Sequence, residues 1–155
     1  MPMRVRSADP VSKAEGREES GERAEHNHIG FYELLSSVDI ALSEARSPRG
    51  WQRLVEYIEE LYEETSRHVH YEERSGMFDR MRSRLPREAA VIDELERGHI
   101  VLLAELEGIR NTVTAQPDVT SPDPVLTARM GAWLTDLYAH EDRELALLER
   151  SNRSR

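Results

Sequence analysis

Four stretches of this sequence place apolar residues three and four positions apart, and each series is interrupted by one histidine. The first, residues 25–45, carries His28, Phe31, Leu35, Val38 and Leu42. The second, 49–84, carries Leu54, Ile58, Leu61, Thr65, His68, Glu72 and Met77. The third, 87–114, carries Ile92, Leu95, His99, Leu102, Leu106, Ile109 and Val113. The fourth, 124–149, carries Leu126, Met130, Trp133, Leu137, His140, Glu144 and Leu148. This spacing lines one face of an α-helix, and no stretch shows the alternation of a strand. Four amphipathic helices must bury their apolar faces against one another, and short connectors favour antiparallel neighbours. The expected fold is all-α: an up-down-up-down antiparallel four-helix bundle.

Proline and glycine punctuate the helices. Ser47-Pro48-Arg49-Gly50 divides the first two, Leu85-Pro86 ends the second, and the proline-rich run from Gln116 to Pro124 divides the last two. Residues 1–24 hold Pro2, Pro10, Gly16 and Gly21 and almost nothing apolar. They predict a flexible tail ahead of a bundle over 25–150. The remainder of a 155-residue chain that is 38% hydrophobic suffices for one helical core.

Exclusions follow. There is no cysteine, hence no disulfide, thiolate metal site or catalytic thiol. No apolar run approaches the ~18 residues of a membrane span, and the N-terminus lacks the apolar stretch of a signal sequence, so no membrane partner and a cytoplasmic location are expected. A net charge of −9 argues against nucleic acid as a partner. No glycine-rich phosphate loop or nucleophile motif is found. The identity of any protein partner is not encoded in a recognisable motif.

The interrupting residues carry the chemistry. His68 and Glu72, like His140 and Glu144, stand four apart, one turn along the same helical face. Counting to the connectors puts His28 level with His68, and His99 level with His140, to within a turn; the middle offset is ~7 Å. Four imidazoles and two carboxylates in one apolar layer would destabilise a metal-free bundle by several kcal/mol at least. As ligands they cease to be a cost. His28, His68, Glu72, His99, His140 and Glu144 are thus the candidate metal ligands. With both glutamates bridging, each of two ions receives two histidines and two carboxylate oxygens. An oxo or hydroxo bridge adds a fifth donor and leaves one position open. That suits two iron ions, with zinc or manganese as possible substitutes.

The order His28, His68xxxGlu72, His99, His140xxxGlu144 across four helices resembles the hemerythrin-like, or HHE cation-binding, domain family. The segments HVHYEERSGMF and AHEDRELALL look like its two half-motifs. The resemblance covers residues 25–149 and implies a carboxylate-bridged non-haem di-iron site that reacts with dioxygen. His28, His68, His99 and His140 would then be terminal ligands, and Glu72 and Glu144 bridges. The invertebrate oxygen carriers of that family have two histidines a turn apart on the third helix. Here Leu95 and Leu103 flank His99, and Glu144 stands where the carriers have aspartate. The pattern is closer to the divergent bacterial and regulatory branch.

Other polar neighbours read as bystanders. His26 and His70 lie ~200° from His28 and His68, and Glu73 and Glu141 lie off the seams as exposed charge. Glu64 and Asp136 read as flank acids, although either stands where it can hold a ligand imidazole, and Tyr71 is within reach of a small bound ligand. Phe31, Leu102, Leu103, Trp133 and Leu137 would wall the site. Three functions are open: a di-iron protein that binds or senses dioxygen or iron without turnover; a di-iron oxidase or peroxidase/catalase-like enzyme; and a metal-free interaction bundle. The first is the leading expectation, with dioxygen or peroxide as the small ligand and no catalytic residue assigned.

Overall fold

The computed structural model describes residues 29–116 and 120–154. The tail expected over 1–24, together with His26 and His28, lies outside these residues. All regular structure among the described residues is helical. Helix α1 covers 29–43, α2 Pro48–Arg74, α3 Met77–Arg84, α4 Ala89–Thr114 and α5 Pro124–Arg153, with a 3-10 turn at Pro86–Glu88 ahead of α4.

The termini follow from local chemistry. Ser47 caps α2 by accepting from the Gly50 N–H, and Pro48 supplies the first helical residue, which needs no donor. Asp123 caps α5 through the N–H groups of Val125 and Leu126, again with a proline first. The single helix expected over 49–84 is instead two. After Arg74 the Ser75 hydroxyl turns back to the Glu72 carbonyl and accepts from the Met77 N–H, while Gly76 adopts φ 70°. A left-handed residue cannot continue an α-helix, and glycine adopts it without steric cost. The break redirects α3 onto α4 and α5.

The interior consists of two apolar clusters. The larger gathers Phe31, Leu35, Trp51, Leu61, Leu106 and Trp133, among others. The smaller is built from Met77, Phe78, Met81, Ile92, Leu95 and Leu147. The expected seams hold through most of each helix but slip at two ends. Ala41 is buried and Leu42 only half-buried; Leu147 is buried and Leu148 half-buried. A true repeat of 3.6 residues drifts away from a strict three-four alternation.

Contacts between helices pair residues in opposite order. Glu88 meets Arg150, Glu94 meets Arg143, the Leu102 carbonyl accepts from Trp133 Nε1 at 2.8 Å, and Glu105 meets Arg129. Between α2 and α4, Glu59 meets Arg110 and Glu73 meets His99. Phe31 stacks on His68 while Glu44, just past α1, meets Arg53.

The break at Gly76 can be weighed against an ordinary helical glycine. Gly76→Ala should cost about 1–2 kcal/mol, the price of a left-handed L-residue. Gly131→Ala, inside α5 with the nearest side chain 3.6 Å from the new Cβ, should gain up to about 1 kcal/mol. Urea denaturation of both variants measures the difference.

Candidate metal centre

On α2, α4 and α5 a polar layer stands where the chain crosses from one apolar cluster to the other. Along α2 the order is Leu61, His68, Glu72 and then, past the break, Met77. Along α4 it is Leu95, His99, Leu102; along α5 it is Leu137, His140, Glu144, Leu147. His68, Glu72, His99, His140 and Glu144 are all buried, at 1–8% exposure. His28 lies outside the described residues.

The donor atoms fall into two groups. In one, Glu144 Oε2 lies 3.6 Å from His140 Nε2 and 3.7 Å from His99 Nε2. In the other, His68 Nε2 lies 2.9 Å from Glu72 Oε1 and 3.1 and 3.2 Å from the two oxygens of Glu141. Glu72 joins the groups, because its second oxygen, Oε2, is 3.4 Å from His99 Nε2. Each triad, His99–His140–Glu144 and His68–Glu72–Glu141, places its donors within 4.8 Å of one another.

Six buried side-chain atoms make no hydrogen bond among the described residues. Four of them are in this layer: Glu72 Oε2, His99 Nε2, His140 Nε2 and Glu144 Oε2. Native interiors rarely leave such atoms unsatisfied. Separations of 3.4–3.7 Å are long for hydrogen bonds. They lie at or just beyond the ~3–3.5 Å between neighbouring donors that bind one ion at ~2.1 Å. The donor set therefore fits a metal.

The electrostatics agree. Burial alone pulls the His68 imidazole down, but hydrogen bonds to Glu141 and Glu72 outweigh it and hold its pKa at about 10. Burial likewise opposes, and Glu144 and Glu72 restore, a raised value of about 10 at His99. Burial pushes the Glu144 carboxyl up, but His140 and His99 beside it bring it down to about 2. Without metal, protons take the place of cations between these carboxylates.

Surrounding residues hold the layer in place. The Phe31 ring stacks on His68 at 4.5 Å, and Phe78 meets His99 edge-on at 5.4 Å. Gly98 makes room for His140: a Cβ there would stand 3.1 Å from His140 Nδ1. Glu73 Oε1 lies 3.3 Å from His99 Nδ1, the ring nitrogen turned away from the donors. Carboxylates in that position fix a ligand's tautomer.

Glu73 is exposed, as the sequence predicts, but engaged with His99; the reading of Glu141 as exposed charge needs correction, since its side chain is only 11% exposed. Glu141 also accepts from the Tyr32 hydroxyl at 3.1 Å. The burial of Tyr32 and the charge of Glu141 both push that phenol's pKa up. His70 is exposed beside Arg74, Glu64 pairs with Arg67 at 2.8 Å, and Tyr71 and Asp136 are exposed.

Comparison with known proteins bears on the same helices. The family model for the hemerythrin HHE cation-binding domain matches residues 22–148. No curated protein and no solved structure matches the chain. The matched span takes in all five helices up to the last turn and a half of α5, and with them every donor of the buried layer. Helical throughout its described regular structure, with paired His/Glu donors in its interior, and matched over most of its length, the chain belongs to the hemerythrin HHE cation-binding domain family.

Proposed function

We propose that the chain is a non-haem di-iron protein that binds or senses dioxygen, or iron itself, without net turnover. The observation that carries this reading is Glu72, whose two oxygens face two different imidazoles, His68 and His99. One carboxylate spanning two donor groups suits two ions rather than one, and mixed imidazole and carboxylate donors suit iron, with zinc or manganese as substitutes. The opposite residue order of the interhelical contacts supports an up-down-up-down bundle around the centre, and a cytoplasmic location belongs to the same proposal. When bound, the iron pair supplies reversible redox chemistry toward dioxygen or peroxide.

The chain's own residues do the rest. Glu72 and Glu144 balance the cationic charge, and Glu73 orients His99 through Nδ1. Phe31 and Phe78 cover two of the imidazoles and limit water at that face. A second reading, turnover of peroxide at the same centre, draws on a groove between α4 and α5 of about 450 Å³. Gly98, Leu102, Ala139 and His140 are among its lining residues, so it brings a small molecule up to the ring of one ligand histidine.

Metal analysis of protein from its native host, followed by an anaerobic-to-aerobic difference spectrum, tests both readings. Two irons and a reversible change support binding or sensing. Irreversible oxidation with rapid peroxide consumption supports the enzyme. A metal-free protein, unmoved in melting temperature by ferrous iron, would mean an interaction bundle. A metal at ~1,000-fold its Kd stabilises the fold by about 4 kcal/mol, so chelation should lower Tm. Glu72→Ala should deplete both ions, whereas His70→Ala should leave iron per chain unchanged.

Proton competition sets a pH dependence. In the metal-free chain the His68 and His99 contributions are complete below their ordinary value of 6.5 and fade as pH rises toward 10. That of Glu144 is complete above 4.5 and fades as pH falls toward 2. Metal-free protein should therefore be most stable between 4.5 and 6.5. Metal takes neutral imidazoles, so the Tm gap between loaded and chelated protein should widen from about pH 6 to about pH 8. Thermal melts across that range check it.

A further inference from the structure

We infer that Glu141 is itself a metal ligand, joining His68 and Glu72 in the donor set of the second ion. The inference rests on the di-iron reading above. It starts from crowding at one atom: His68 Nε2 has Glu72 Oε1 at 2.9 Å and both Glu141 oxygens at 3.1 and 3.2 Å. A single N–H cannot serve three oxygens with good geometry. A cation can accept all of them together with the ring nitrogen.

The side of the ring separates a ligand from a supporting residue. A carboxylate that merely orients a ligand histidine engages the nitrogen facing away from the metal. Glu73 does so at His99, contacting Nδ1 while Nε2 faces Glu72 and Glu144. Glu141 does the opposite at His68, contacting Nε2, the nitrogen that faces Glu72. Burial follows the same division: the Glu141 side chain is 11% exposed and that of Glu73 is 41%. The Tyr32 hydroxyl, donating to Glu141 Oε2 at 3.1 Å, gives this carboxylate the outer hydrogen bond that ligating carboxylates carry.

Donor number points the same way. His99, His140 and Glu144 form one triad, and Glu141 brings the other group, His68 and Glu72, to three donors among the described residues; His28, the further ligand expected from the sequence, lies outside them. Glu141 follows His140 directly, ~100° further round α5. One helix thus presents His140 and Glu144 to the first ion and Glu141 to the second.

The test is anaerobic titration of the full chain with ferrous iron, and separately with cobalt(II), against a competing chelator. Wild type, Glu141→Gln, Glu141→His and Glu73→Gln are compared, with helicity followed by circular dichroism. Loss of an orienting residue costs ~10–100-fold in affinity. Glu141→Gln should keep one ion at wild-type affinity and weaken the other by more than Glu73→Gln does, and Glu141→His, which restores a donor, should recover binding of two. A loss in Glu141→Gln no larger than that in Glu73→Gln overturns the assignment while leaving the di-iron reading intact. Wild-type protein that binds neither metal overturns both.

Discussion

Two imidazole nitrogens and two carboxylate oxygens face one another in a buried layer without hydrogen bonds among the described residues. Each would cost about 1–3 kcal/mol if left unsatisfied, and a domain's whole stability is about 5–15 kcal/mol. A layer this expensive must be matched by something that binds it. The surroundings are arranged accordingly. Two phenylalanine rings cover two of the imidazoles, a glycine admits a third, and an outer carboxylate holds the far side of His99. Apolar clusters flank the layer on both sides.

Much of this was legible because burial and periodicity are the same signal. Leu54, Ile58, Leu61, Thr65, His68 and Glu72 read as one face in the sequence, and all six are buried. The errors fall where that signal weakens. Extrapolating the alternation to the helix ends selected Leu42 and Leu148 over Ala41 and Leu147, since a few degrees of drift per turn accumulate with length. The reading of a single second helix runs through Ser75-Gly76 because Met77 continues the apolar pattern on the far side. The dipeptide itself was a turn signal, outweighed by periodicity.

Glu141 escaped for a different reason. A helical wheel ranks positions by their angle to one seam and treats everything off it as solvent-facing. A helix in a bundle has neighbours on two sides, so a residue ~100° from the seam can still point at the next helix. On α5 that side faces α1, whose Tyr32 donates to Glu141, and the same carboxylate reaches His68 of α2. Nothing in the sequence distinguishes Glu141 from the adjacent exposed Asp142, apart from the partner that the fold brings to it. His28 was equally legible as a seam residue but lies outside the described residues.

The division of the apolar interior has a consequence for cooperativity. A small domain melts as one unit when its parts share a continuous core. Here α3 contributes Met77, Phe78 and Met81 to the smaller cluster alone, and what joins that cluster to the larger one includes the polar layer itself. In metal-free protein that junction holds four atoms without hydrogen bonds among the described residues, so the eight residues of α3 would be the part least firmly coupled to the larger cluster. Ligating the layer ties α2, α4 and α5 together between the clusters. Binding at the centre would thus be felt at α3 as a change from separate to concerted unfolding, a mechanical readout of occupancy on a short helix at one end of the domain.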